Sequence, residues 1–238
     1  MKKIVTMALI SVMAVNLVGC KKDIIGTGPY RTENRPVAGF TAIDLRMNGN
    51  VYYKKGNVPA LEIVAQQNVL DQLETSVINN SLVIQYRDGK TYDADHGIRI
   101  NVTAPQVNSF TLNTSGSIFC LDDMETTSLF LHSNGSGNIS LKNIRAGSIE
   151  AISRVSGSII AMDGHALNEN LKTSGSGQIN LSGISAKTAT VRTSGSGKIQ
   201  LRVTNYLHAT IEGSGSIYYG GYPDVSSHIS GSGHLIHF

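Results

Sequence analysis

The chain has 238 residues, 20 of them Lys or Arg and 17 Asp or Glu, giving a formal charge of +3. A balance this close to neutral excludes the cationic excess on which sequence-independent binding to nucleic acid depends. Two cysteines, no tryptophan and 6% aromatic residues weigh against a disulfide-stapled scaffold and against an aromatic sugar-stacking cleft.

The first element in chain order is a leader. Lys2 and Lys3 form a basic start, and Ile4 to Val18 is an apolar run too short and wrongly flanked for a permanent membrane span. It ends in Leu17-Val18-Gly19-Cys20, which resembles the lipobox of bacterial lipoproteins. That resemblance implies cleavage before Cys20, with acyl chains on Cys20 as the anchor to a membrane. Two or more chains hold stably, since each buried methylene contributes about 0.8 kcal/mol. Removing Lys2 and Lys3 leaves 18 cationic against 17 acidic side chains. Cys120 is then the only other thiol, so no internal disulfide is expected. Residues 21–36, with Gly26, Gly28, Pro29 and Pro36, read as a tether.

Apolar runs at Phe40–Leu45, Val51–Tyr53, Leu61–Ala65, Leu82–Tyr86 and Ile98–Val102 predict strands. Asn68 to Ile78 has mixed periodicity, compatible with a short helix or a coil side. Between the last two runs lies a charged stretch, Asp88–Gly97. Its Asp93, Asp95 and His96 are weak candidates for Ca²⁺ or Zn²⁺ ligands and read foremost as a solvated turn.

From about residue 111 the chain repeats itself. The apolar residues Ile118, Ile139, Ile159, Ile179, Ile199, Ile217 and Leu235 follow one another at spacings of 21, 20, 20, 20, 18 and 18. Two positions before each stands a glycine: Gly116, Gly137, Gly157, Gly177, Gly197, Gly215 and Gly233. Ser precedes every one of these glycines. Two positions after the anchor the chain is again mostly apolar (Cys120, Leu141, Ala161, Leu181, Leu201, Tyr219), with polar residues such as Ser140, Asn180 and Gln200 between. A further apolar site precedes each glycine, at Leu112, Leu131, Ala151, Leu171, Val191, Ile211 and Ile229. It stands six residues before the anchor at the ends and eight in the middle, and the difference is read here as the cause of the change from 20 to 18. A third site falls at Ile144, Ile184 and about Val203. Units of about twenty residues, each with three short strands and three corners, predict a single-stranded parallel β-helix, or β-solenoid, with coils of about 18–21 residues. Glycine is expected at a corner because it takes positive φ or lets neighbouring backbones close together. The resulting division is a signal peptide at 1–19, lipidated Cys and tether at 20–36, irregular N-terminal β coils at 37–110 and the Ser-Gly solenoid at 111–238.

Three stretches in this order resemble one bacterial family: "FTAIDLRMNGNVYYKKG", "NVLDQLETSVINNSLVIQY", and serial "SGSGxIxL" after "VTAP". The chain is similar, over Val37 to Phe238, to the family named "putative auto-transporter adhesin, head GIN domain". The resemblance implies a right-handed β-helix and a cell-envelope location of the Bacteroidetes type. It carries no catalytic motif.

The remaining residues offer little chemistry. Asp123 and Asp163 are the one conceivable carboxylate pair for a polysaccharide-active enzyme, yet the acidic file stops at Ser182, Arg202 and Gly220. His234 and His237 have opposite strand parity, so with His228 they read as a polar terminal edge. Cys120 shares inward parity with Ile118. No catalytic residue and no cofactor is expected. The expectation is a non-catalytic, lipid-anchored envelope protein, on the outer membrane rather than the inner, that contacts carbohydrate or another surface protein. The alternatives are a scaffold that self-associates through its solenoid ends and, third, a β-helical enzyme.

Overall fold

The computed structural model describes residues 25–87 and 97–238. Cys20, Asp93, Asp95 and His96 lie outside them. The fold is almost entirely β, a parallel solenoid of about six turns. Its N-terminal part contains β1 (Tyr30–Arg35), β2 (Ala42–Leu45), β3 (Asn50–Lys55), β4 (Ala60–Gln66), a single helical turn α1 (Gln67–Leu70), β5 (Leu73–Ile78), β6 (Ser81–Tyr86), β7 (Arg99–Ala104) and β8 (Ser109–Leu112). The ambiguous Asn68–Ile78 stretch thus divides into a one-turn helix that buries Val69 and Leu70, then a strand.

The repeats follow as β9 (Ser117–Ser133), β10 (Asn138–Ser153), β11 (Ser158–Thr173), β12 (Gln178–Thr193) and β13 (Lys198–Glu212). The last coil and a half are β14 (Ser216–Gly220), β15 (Asp224–Ser230) and β16 (His234–His237). Each middle coil is therefore one long strand broken once, at the Ser-Gly corner, where three short strands were expected. The strand continues through the other two corners, where one to three residues drop out of the pairing before it resumes.

Two strand files result. One runs β1-β4-β7-β3-β9-β10-β11-β12-β13-β14-β16, antiparallel at its first two pairings and parallel after that. The other passes from β5 and β6 through β2 and β8 to the second halves of β9–β13, and on to β15. The core lies between them. Ile118, Ile139, Ile159, Ile179, Ile199, Ile217 and Leu235 form one in-register inward file, continuous with Val51. Tyr53, Cys120 and Leu141 begin the next.

The site before each glycine is two files and not one. Phe110 pairs with Leu131, and Leu131 with Ala151, Leu171, Val191 and Ala209 in turn. Leu112 instead pairs with Ser133, which leads through Ser153, Thr173 and Thr193 to Ile211 and Ile229. The change from 20 to 18 residues per coil is made elsewhere. Leu181 pairs with Leu201, but Ser185 with Arg202 and Thr188 with Tyr206, so three residues are dropped at the corner after Leu181 and one is regained. The hydroxyls of Ser133, Ser153, Thr173 and Thr193 are wholly buried.

The repeated glycines answer to crowding. Gly116, Gly137, Gly157, Gly177, Gly197, Gly215 and Gly233 have no positive φ. A Cβ on Gly197 would stand 2.7 Å from the Gly177 carbonyl oxygen and 2.9 Å from Thr173 Oγ1. The buried hydroxyl file and the next coil's glycine file are two sides of one packing solution.

Candidate functional site

Strand alternation puts every second residue of the first file outside. One outward row runs Arg99, Asn50, Ser117, Asn138, Ser158, Gln178, Lys198, Ser216, His234. The row beside it runs Asn101, Tyr52, Phe119, Ser140, Ile160, Asn180, Gln200, Tyr218, Ile236. These side chains hold one another. Tyr52 stacks on Phe119 with centroids 5.2 Å apart, and the Arg99 guanidinium lies 4.6 Å from the Tyr52 centroid. Arg99 Nε donates to Asn101 Oδ1 at 3.1 Å, and Asn101 Nδ2 to Glu62 Oε1 at 2.6 Å. Farther along, Gln178 Nε2 donates to Gln200 Oε1 at 3.2 Å, and Lys198 Nζ sits 4.4 Å from the Tyr218 centroid. Aromatic residues that are scarce in composition are gathered here by register.

The second face carries Phe130, Glu150, Asn170, Thr190 and His208 in one row. His132 Nε2 and Glu150 Oε1 are 2.8 Å apart, and Arg192 pairs with Glu212 at 2.7 Å. The corner between the two faces holds Asp123 and Asp163, both in register with Asn143. Asp123 accepts from Asn143 Nδ2 at 3.1 Å and pairs with Lys142 at 3.4 Å, while Asp163 Oδ1 accepts the N–H of Gly164 at 2.8 Å. The carboxylates are thus two strand spacings apart, about 9–10 Å, with an asparagine between them and no cleft. Asp122 Oδ2 accepts the Lys55 N–H at 2.7 Å beside a pocket of about 20 Å³, room for about one water.

Burial pushes the Cys120 thiol up to about 12, with Asp122 and Asp123 adding to the effect, so it stays protonated and unreactive. His237 Nε2 bonds the Gly221 carbonyl at 2.7 Å and its ring packs on Tyr219, 5.1 Å between centroids. His228 and His234 point outward from different strand files. Among the described residues no three His, Cys, Asp or Glu side chains are grouped to hold a metal ion, and no helix is long and apolar enough to cross a membrane.

One group escaped the sequence reading. Glu169 has inward parity with Leu171, is 3% exposed, and neither carboxyl oxygen has a partner. Its neighbours in register are Ile149 and Ala189. Desolvation holds its carboxyl well above the usual range. Within its own coil, Ala161 and Gly164 stand where the preceding coil has Leu141 and Ile144.

The family model for "putative auto-transporter adhesin, head GIN domain" matches residues 39–223. No curated protein matches the chain. A solved "putative adhesin" from Bacteroides fragilis superposes with a TM-score of 0.85 at 24% identity, over 90% of this chain and 100% of that one. A "putative lipid binding protein" from Parabacteroides distasonis gives 0.73 at 24% identity, over 91% and 100%. A "putative adhesin" from the same species gives 0.71 at 20% identity, over 91% and 100%. At these identities the three establish the fold alone. The family match, spanning most of the chain, establishes membership: the chain belongs to the head GIN domain family of putative auto-transporter adhesins.

Proposed function

We propose that this head GIN domain protein is a non-catalytic adhesin, lipid-anchored through Cys20, that meets its partners with the long outward face of the first strand file. One observation carries the reading: a single sheet face, β1 to β16, whose outward rows stay in register across eleven strands. Its larger side chains, Arg99, Tyr52, Phe119, Gln178, Gln200, Lys198 and Tyr218, already rest on neighbours, so little of their rotamer freedom is lost on contact. Repetition at about 4.8 Å suits many weak contacts to a repetitive partner such as a glycan. The described carboxylates and histidines support no opposing acid and base. Of the expected tether, Tyr30–Arg35 is strand β1, paired along its length with β4, so the cleavage to be sought lies ahead of Tyr30. Protease treatment of intact and of permeabilised cells tests the placement, with a known periplasmic protein as control. Release of residues 100–238 from intact cells supports it; protection until permeabilisation sinks it.

A second reading has its own observation. The outermost strands expose Val225 (42%) and Ile229 (45%) on β15, and Ile236 on β16. Antiparallel pairing of two β15 strands about Ser227 would set Val225 opposite Ile229 of a second copy, twice over. Sedimentation velocity decides: concentration-dependent dimers abolished by Val225→Lys or Ile236→Lys support it, and a wild-type monomer at high concentration removes it.

A further inference from the structure

Between the two flat faces, at the bend of each coil, runs a third outward file. It consists of Glu125, Arg145, His165, Ser185 and Arg202, each in register with the next and all exposed. Three strand spacings separate Arg145 from Arg202, about 14 Å at about 4.8 Å per step. The other two arginines of the long strands and their corners are tied down: Arg154 donates to Asn134 Oδ1 at 2.5 Å and Arg192 to Glu212 Oε2 at 2.7 Å. The side chains of Arg145 and Arg202 make no hydrogen bond or ion pair among the described residues, and the Arg202 guanidinium lies over Gly220.

Alongside this file lies an open groove of about 670 Å³, lined by Gln106, Thr127, Ala146, Gly147 and Leu167 as well as by Arg145. Gly147 lines it at a position that drops out of the ladder pairing on both sides, between Ala146 and Ser148. The Gly147 backbone packs so close to the Thr127 carbonyl that a Cβ would stand 2.6 Å from its oxygen.

We propose that the groove and the arginine file together form a binding track for a linear acidic oligosaccharide lying along the solenoid axis. Taking the protein to be an adhesive surface as above, this names the class of glycan and a place for it. A planar guanidinium with free donors matches a carboxylate in two parallel hydrogen bonds. The strands that carry them lie about 14 Å apart on a rigid ladder, a span that covers carboxylates on separate sugar units of one chain. Leu167 offers apolar surface to the ring C–H groups, and Thr127, Gln106 and Ser185 offer partners to hydroxyls. Glu125 closes one end of the file with like charge and repels the ligand's acid there, so the carboxylates lie toward His165 and Arg202. The two arginines, far apart in sequence, are brought onto one file by coiling alone.

The test is calorimetric titration of the purified protein with a galacturonate hexasaccharide and with its methyl ester, which keeps the sugar and removes the charge. Binding of the acid, weakened by salt and lost on esterification, is expected. Arg145→Gln and Arg202→Gln each weaken it by about tenfold, the loss of one charged hydrogen-bonded contact. Glu125→Gln tightens it, and Lys172→Gln, on the second face in register with Arg192, leaves it unchanged. All four side chains are exposed, and matched thermal melts verify that the variants fold. Equal affinity for acid and ester, unchanged affinity in both Arg145→Gln and Arg202→Gln, equal binding of duplex DNA, or no binding at all overturns the track. If cells still adhere, and Phe119→Ala with Tyr218→Ala abolishes that adhesion, the track fails while the adhesive face stands.

Discussion

Replacing Glu169 by Leu should make the protein more stable at neutral pH and flatten the dependence of its stability on pH. In the unfolded chain a glutamate loses its proton near pH 4.3. In the fold the Glu169 carboxyl has no partner and lies between Ile149 and Ala189, so its proton is retained to much higher pH. Over that interval the folded state holds one more proton than the unfolded state, and stability falls as pH rises. The full contribution of the neutral acid is present below about pH 4.3 and declines by about 1.4 kcal/mol per pH unit until the folded group also ionises. Urea unfolding of wild type and Glu169→Leu at pH 4, 5, 6, 7 and 8 measures the difference directly. The gap should widen with pH by about 1.4 kcal/mol per unit and then level off. Glu169→Gln should lose the slope while keeping a desolvation cost, since an amide here has no partner either. Parallel pH profiles for wild type and both variants would refute the claim that this carboxyl is buried and unpaired.

Four other outcomes follow from the packing. Gly177→Ala puts a Cβ against Ser153 Oγ and 2.6 Å from the Gly157 carbonyl oxygen, so it should cost more than about 2 kcal/mol in a thermal or urea melt. Thr173→Val removes a buried hydroxyl that has no partner at nearly constant volume, and should leave stability unchanged or raise it by about 1 kcal/mol. Arg192→Ala breaks an exposed ion pair at 2.7 Å, and should change stability by less than about 1 kcal/mol and less still at high salt. Cys120, with its thiol held up to about 12, should resist a thiol-specific disulfide reagent at pH 8 in native protein and react at once in denaturant.

The file from Ile118 to Leu235 was legible because each anchor follows an identical Ser-Gly pair, which fixes the phase of every coil. The hydroxyl file from Ser133 to Thr193 was not, because Leu112 and Ile211 sit two residues beyond the true members of the Leu131 file, Phe110 and Ala209. A shift of two residues preserves strand parity, so apolar patterning cannot tell the two alignments apart. Only where the chain shortens, at the corner after Leu181, does three-dimensional register decide. Glu169 did leave a signal: it stands two residues before Leu171, on the inward side, as Thr173 stands two after. A glutamate at that parity reads as exposed until the pairing with Ile149 and Ala189 is known. The Arg145–Arg202 relation depends on that same irregular corner, which is why one sequence alone does not show it.

Because each middle coil is a single strand zipped to the coil before it, the molecule also has a mechanical character. Tension applied at the β16 end loads the hydrogen bonds of one ladder in succession, as in peeling, whereas shear would load them all together. Each coil that detaches releases about twenty residues, or about 70 Å of extended chain. The neighbouring coil keeps its own pairing and remains as the new edge. Under axial tension such a body lengthens in discrete steps, dissipating work at each one and limiting the force that any attachment to it has to bear.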